Sequence, residues 1–343
     1  MHRIPEKLWT AGKGSSVKCF LCPHHCVIGE GMWGLCRTRT NRKGALYSVA
    51  YGNPCSVAVD PIEKKPLYHF LTGTDILSIA TAGCNFHCLN CQNWTISQAS
   101  PLSTGKRNLS PAQVVQTALR YKVPSIAFTY TEPTVFYEYM YDIAVLAHEN
   151  GLKTVMVSNG YLDPEPLAAL VPYLDAANID LKCFDDKTYR HLTGGKLQPV
   201  LDTLLTMGKS GVWTEITHLI VPGITDDPVQ FRSMCRWLTS NGFAFAPLHI
   251  SRFFPTYKLP HLMPTSIEHL TRAKTIALEY GIRFVYPGNV PDDIESHTFC
   301  PGCGNVVVER HQYNVVKRLI ENGRCSFCHT FIPGVWDIQD PAL

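Results

Sequence analysis

At 343 residues, with 45% hydrophobic and 17% charged side chains, the chain has material for one large α/β domain and one or two small modules. No apolar run approaches the roughly 20 residues that span a bilayer, and the N-terminal stretch MHRIPEKLWTAGKG lacks the apolar segment of a secretory leader. A cytoplasmic location without membrane contact is therefore expected. The net charge of +3 is uneven: residues 1–43 carry eight basic against two acidic residues, a net +6, which leaves −3 for the rest.

That basic segment holds Arg3, Lys7, Lys13, Lys18, Arg37, Arg39, Arg42 and Lys43. Such asymmetry fits either a nucleic-acid contact or a solvated basic surface around a metal site. Within it, Cys19, Cys22, Cys26 and Cys36 lie in eighteen residues, with Gly29, Gly31 and Gly34 easing tight turns. In a reducing cytosol clustered cysteines are metal ligands or redox groups more often than disulfides. Zinc and an iron–sulfur cluster both suit these four thiolates. The module is expected over 1–70, ending in the Pro-bounded stretch DPIEKKPLYHF.

From about 71 to 290, short apolar β-branched runs alternate with helical patterns. Strands are predicted at ILSIAT (76–81), SIAFTY (125–130), KTVMVSN (153–159), ANIDLK (177–182), TEITHLIV (214–221) and FAPLHIS (245–251), with a seventh at RFVYPG (283–288). Helices are predicted at SPAQVVQTALRY, capped by Ser110 with Pro111 first, and at VFYEYMYDIAVLAHENG, closed by Gly151. PVQFRSMCRWLTSNG and SIEHLTRAKTIALEYG supply two more. This alternation predicts a parallel (β/α) barrel of six to seven units, partial or complete, with chemistry at the C-terminal strand ends.

Directly after the first of these strands comes GCNFHCLNC, which presents Cys84, Cys88 and Cys91. A 4Fe–4S cluster usually takes four cysteines. Three leave one iron open, as a catalytic metal site requires. This CxxxCxxC loop resembles the radical SAM superfamily signature. The resemblance implies an iron–sulfur cluster whose open iron binds S-adenosylmethionine (SAM) and whose electron cleaves it to a 5′-deoxyadenosyl radical that takes hydrogen from a substrate. A residue before the third cysteine is usually aromatic in that superfamily and lies near adenine; here it is Asn90.

The same resemblance assigns cofactor contacts to further strand ends. TYTEPT supplies Thr131 and Glu132, the latter for the SAM amino group; SNG supplies Ser158 and Asn159; DLK supplies Asp180 and Lys182; LHIS supplies His249. The segments CFLCPHHC, DPIEKKPLYHF, RHLTGG, EITHLIVPGITD, LHISRFFP and YPGN also resemble, in order and spacing, the AmmeMemoRadiSam-system radical SAM proteins, which are similar to pyruvate formate-lyase activating enzymes. That likeness implies Memo-like and AMMECR-type partners and an electron donor such as a flavodoxin or ferredoxin. It leaves three substrate classes open: a protein glycyl residue, a nucleic acid or a metabolite.

The tail, expected as a module over 291–343, carries Cys300 and Cys303 in CPGC and Cys325 and Cys328 in CSFC, a zinc-ribbon or rubredoxin-like pattern that takes zinc or a single iron. The opposing reading of the whole chain is a metal-stapled scaffold for nucleic acid or partner proteins, its barrel no longer catalytic. Cys84, Cys88, Cys91 and Glu132 together argue against it, because a scaffold needs no cluster with an open position.

Overall fold

The computed structural model describes residues 1–105, 107–291 and 293–338, apart from the side chains of 293 and 294. The last five residues of the expected C-terminal module lie outside the described residues. Eight strands form the central sheet: β1 (Pro54–Pro61), β2 (Asp75–Thr81), β3 (Ser125–Phe128), β4 (Lys153–Ser158), β5 (Ala176–Asp180), β6 (Trp213–Ile220), β7 (Leu248–Arg252) and β8 (Val285–Gly288). They lie side by side in chain order, β2 to β8 parallel and β1 antiparallel along the β2 edge. Among the described residues no pairing joins β1 to β8, so the sheet is open and the alternative of a complete barrel is set aside.

The seven predicted strands are these seven parallel ones. The edge strand β1 is an addition, drawn from the segment assigned to the N-terminal module. FAPLHIS contributes only from Leu248 onward: a parallel strand needs its N–H ladder, and Pro247 has none to give.

Helices α1 (Pro111–Tyr121), α2 (Tyr137–Glu149), α3 (Pro164–Leu170), α4 (Asp186–Thr193), α5 (Leu197–Lys209), α6 (Pro228–Ser240) and α7 (Ile267–Glu279) fill the crossovers. Ser110 and Gln113 close a reciprocal capping box on α1, with Pro111 at the first turn. Gly151 follows α2 at φ 71°, a conformation open to glycine. None of the described helices is long and apolar enough to cross a membrane.

One face of the sheet packs on the helices. Ile126, Phe128, Met140, Ile143, Met156, Ile179, Leu204 and Ile250 join one buried apolar cluster. Ile4, Leu8, Trp9 and Val17 belong to the same cluster, so the N-terminal part shares its core with the sheet.

The base of the sheet is sealed by the 66–72 segment. Glu215, fully buried on β6, accepts from the backbone N–H of Tyr68 and His69 and from the Trp213 indole. The C-terminal module, a three-stranded sheet of Thr298–Phe299, Val306–His311 and Asn314–Arg318, docks there through buried Arg310, which donates to the Tyr68 carbonyl at 2.7 Å.

Candidate active site

At the opposite end, the C-terminal strand ends open onto a pocket of about 1450 Å³. Its wall carries Cys84, Cys88 and Cys91, then Thr131 and Glu132, then Ser158 and Asn159, then Asp180 and Lys182. Nine of the ten residues predicted for this centre thus meet in one cavity. The tenth, His249, is absent from its wall. Side chains two apart on a strand share a face, and Ser251 of β7 does reach the pocket. His249 sits one pleat deeper, buried, with its ring 2.6 Å from Glu215 and edge-on to Tyr68. It belongs to the basal network rather than to the pocket.

The cysteine loop leaves β2 through Gly83, at φ 104°. A Cβ there would lie 2.4 Å from Thr38 Cγ2 and 2.7 Å from the Cys36 carbonyl, so only glycine fits. Farther along, the N–H groups of His87 and Leu89 donate to the carbonyls of Thr193 and Leu192 at the end of α4. Phe86 lies against Gly195, where a Cβ would come within 2.3 Å of its ring. The RHLTGG segment is therefore the floor that shapes this loop.

Burial pushes the Cys84 and Cys88 thiols up in pKa, so metal must displace protons to bind them. Burial opposes the Lys182 ammonium, but Asp180 and then the Cys88 sulfur outweigh it and hold its pKa above the ordinary value. Lys182 Nζ stands 2.7 Å from Asp180.

Glu132 organises the neighbouring turn. Its carboxylate accepts from Thr134 N–H at 3.0 Å, Ser158 Oγ at 2.7 Å and Asn159 N–H at 2.8 Å. Burial raises its pKa, while the donors on both oxygens favour the ionised form. Asn159 in turn donates to the Asn85 side chain at 2.8 Å, beside Cys84. Asn90, nine-tenths or more buried, lines the pocket, and its carbonyl oxygen has no hydrogen-bond partner.

Sequence reasoning did not single out a second polar wall. Lys64, Lys65 and Tyr130 also line the pocket, gathered by Asp60 at the end of β1. Asp60 accepts from Lys64 at 2.9 Å, Lys65 at 2.7 Å, Ser78 at 2.8 Å and the Tyr130 hydroxyl. Burial alone would raise its carboxyl; Lys65, Tyr130 and Lys64 together hold it well below the usual range. Tyr130 has φ 64°, uncommon for a bulky residue, and the Asp60 bond helps to fix it there. The available signal was DPIEKKP itself, an acid four and five residues before two lysines.

The two outer cysteine sets differ in geometry. In the C-terminal set the four sulfurs lie within 4.8 Å of one another, with Cys300–Cys328 at 3.5 Å and Cys303–Cys325 at 3.8 Å. Cys19, Cys22, Cys26 and Cys36 instead line a cavity of about 370 Å³ together with Arg39. Two of the eight basic N-terminal residues point inward: Arg39 is buried against Glu138 at 2.7 Å, and Arg37 donates to Gln98 at 3.0 Å. The surface available to a polyanion is reduced accordingly.

Comparison with known proteins agrees with this geometry. The Radical SAM superfamily model matches residues 78–234. An uncharacterized protein of Methanocaldococcus jannaschii is 46% identical over 316 residues, covering 92% of this chain and 94% of its own. The pyruvate formate-lyase-activating enzyme of Clostridium pasteurianum is 26% identical over 161 residues, covering 44% of this chain and 64% of that enzyme. Among solved structures, Streptococcus suis SuiB bound to S-adenosylmethionine shares the fold with a TM-score of 0.50 and 13% identity, covering 70% of this chain and 56% of SuiB.

Proposed function

Because this chain belongs to the radical SAM superfamily, we propose that it is an enzyme that binds SAM on an iron–sulfur cluster held by Cys84, Cys88 and Cys91 and uses it to take a hydrogen atom from a substrate. The observation that carries this reading is the convergence of three cysteines and six polar strand-end residues on one open pocket. When bound, the cluster supplies the single electron that splits SAM to methionine and a 5′-deoxyadenosyl radical.

The residues present fit that cofactor pair. Three thiols leave a fourth coordination position for SAM. The unpartnered Asn90 oxygen is a buried acceptor waiting for a donor, and an adenine amino group supplies one. Glu132 holds the Ser158–Asn159 turn in place and keeps one lone pair of Oε2 free for an ammonium. Lys182 sets a positive charge beside the Cys88 sulfur, and Asp180 orients it. Lys65, Asp60 and Tyr130 form a rigid rim around the mouth, where a substrate enters.

The C-terminal cysteines hold zinc in this account, since tetrahedral Zn–S bonds of about 2.3 Å place sulfurs about 3.8 Å apart. The motif resemblance supports assignment to the AmmeMemoRadiSam system, with Memo-like and AMMECR-type proteins as partners and a flavodoxin or ferredoxin as electron donor. The test is spectroscopic. Protein reconstituted with iron and sulfide and then reduced should show a paramagnetic cluster signal that changes shape when SAM is added. A signal indifferent to SAM would contradict the proposal.

A further inference from the structure

We propose that Cys19, Cys22, Cys26 and Cys36 hold a second iron–sulfur cubane, not zinc, wired to the first; the wiring, though not the occupancy, rests on the radical SAM reading above. Spacing separates the two metals. A zinc ion draws four sulfurs to about 3.8 Å from one another. The C-terminal cysteines meet that condition. Among the described residues they are the one group of three or more Cys, His, Asp or Glu whose ligand atoms all lie within 4.8 Å of each other. The N-terminal four face a common cavity yet stand wider apart. In a cubane each thiolate binds a different iron, so its ligands must be spread. Cys84, Cys88 and Cys91 share that wider spacing. One chain thus displays both geometries, and the N-terminal set has the cluster form.

Arg39 supplies an independent observation. It is 1% exposed and lines the same cavity, and although Nη2 reaches Glu138 at 2.7 Å, Nε and Nη1 have no partner. Buried guanidinium N–H groups left unpaired are costly. A zinc site offers them only thiolate sulfurs already drawn inward to one ion. A cubane adds inorganic sulfides and a negative charge spread over a larger body, and N–H bonds to those sulfurs tune its potential.

The two sites adjoin. The Cys36 carbonyl abuts Gly83, the residue before Cys84, and Asn85 lines the N-terminal cavity while touching Asn159 of the pocket. One electron passes from the outer cluster, which returns from its reduced to its oxidised state, to the inner one. An external one-electron carrier protein then restores the outer cluster.

The experiment counts metals and sulfide in protein purified without oxygen. Wild type should hold about eight iron, about eight sulfide and about one zinc. The triple variant Cys84→Ala, Cys88→Ala, Cys91→Ala should keep about four iron and about one zinc. Cys22→Ser with Cys26→Ser should also keep about four iron, along with a SAM-sensitive signal. The reduced wild-type spectrum should show broadening from two neighbouring paramagnets that disappears in either variant. A triple variant without iron and with two zinc ions would overturn the proposal and leave SAM cleavage by wild type untouched. Four iron in the triple variant, with no SAM response in wild type, would instead uphold this cluster and overturn the radical SAM reading.

Discussion

In Glu132→Gln a carboxylate that accepts on both oxygens becomes a carboxamide that accepts on one. Thr134 N–H donates to Oε1 at 3.0 Å and Asn159 N–H to Oε2 at 2.8 Å. The Ser158 hydroxyl can rotate to suit a new partner, but neither peptide N–H can. Whichever way the amide is turned, its NH₂ faces one of those two backbone donors. A buried donor left unmade costs about 1–3 kcal/mol. If the loss is expressed in the placement of SAM, the rate of SAM cleavage falls by roughly ten- to a hundredfold, at about 1.36 kcal/mol per decade. The assay pairs initial rates of 5′-deoxyadenosine formation with urea unfolding, and uses exposed Glu149→Gln as control. A Glu132→Gln protein with wild-type rate and wild-type midpoint would refute the claim that this carboxylate organises the turn.

Three further outcomes follow from the same geometry. Lys182→Met leaves Asp180 unpaired and removes the positive charge beside Cys88; SAM cleavage should drop about tenfold or more with iron content unchanged, and Lys182→Arg should recover part of it. Asp60 is held below the ordinary carboxylate range, so its stabilisation is complete above about pH 5 and fades as pH falls from about 4 toward its folded value. The stability gap between wild type and Asp60→Asn should therefore be level at neutral pH and shrink below about pH 4; a gap unchanged through the acid range would contradict the assignment. Cys325→Ser, at a fully buried ligand position, should release about one zinc and expose the 298–336 segment to protease while leaving iron in place. Zinc retained at wild-type level would rule out that site.

Strand-end position made most of the centre legible. Apolar β-branched runs located β2 to β8, and polar residues just beyond such runs had to face the strands' C-terminal ends. Thr131, Glu132, Ser158, Asn159, Asp180 and Lys182 were read this way. The same rule misplaced His249, because one pleat of depth turns a pocket residue into a core residue, and sequence alone does not mark where a strand stops. Asp60 and Lys65 escaped because they arrive from outside the repeating units, on an antiparallel edge strand whose segment looked like a lead-in. Arg39 read as part of a basic surface. Its partner Glu138 lies 99 residues away, and no local pattern announces a buried ion pair formed across the fold. The distinction between the two outer cysteine sets was likewise invisible in spacing along the chain and appears only as distance between sulfurs.

The central claim meets its most direct test in one chromatographic comparison. Wild type and Cys88→Ala, both purified without oxygen, reconstituted and reduced, are incubated with SAM and analysed for 5′-deoxyadenosine. The account predicts product from wild type and none from Cys88→Ala, with the C-terminal zinc present in both. Equal product from the two proteins would show that Cys84, Cys88 and Cys91 are not the cluster that cleaves SAM.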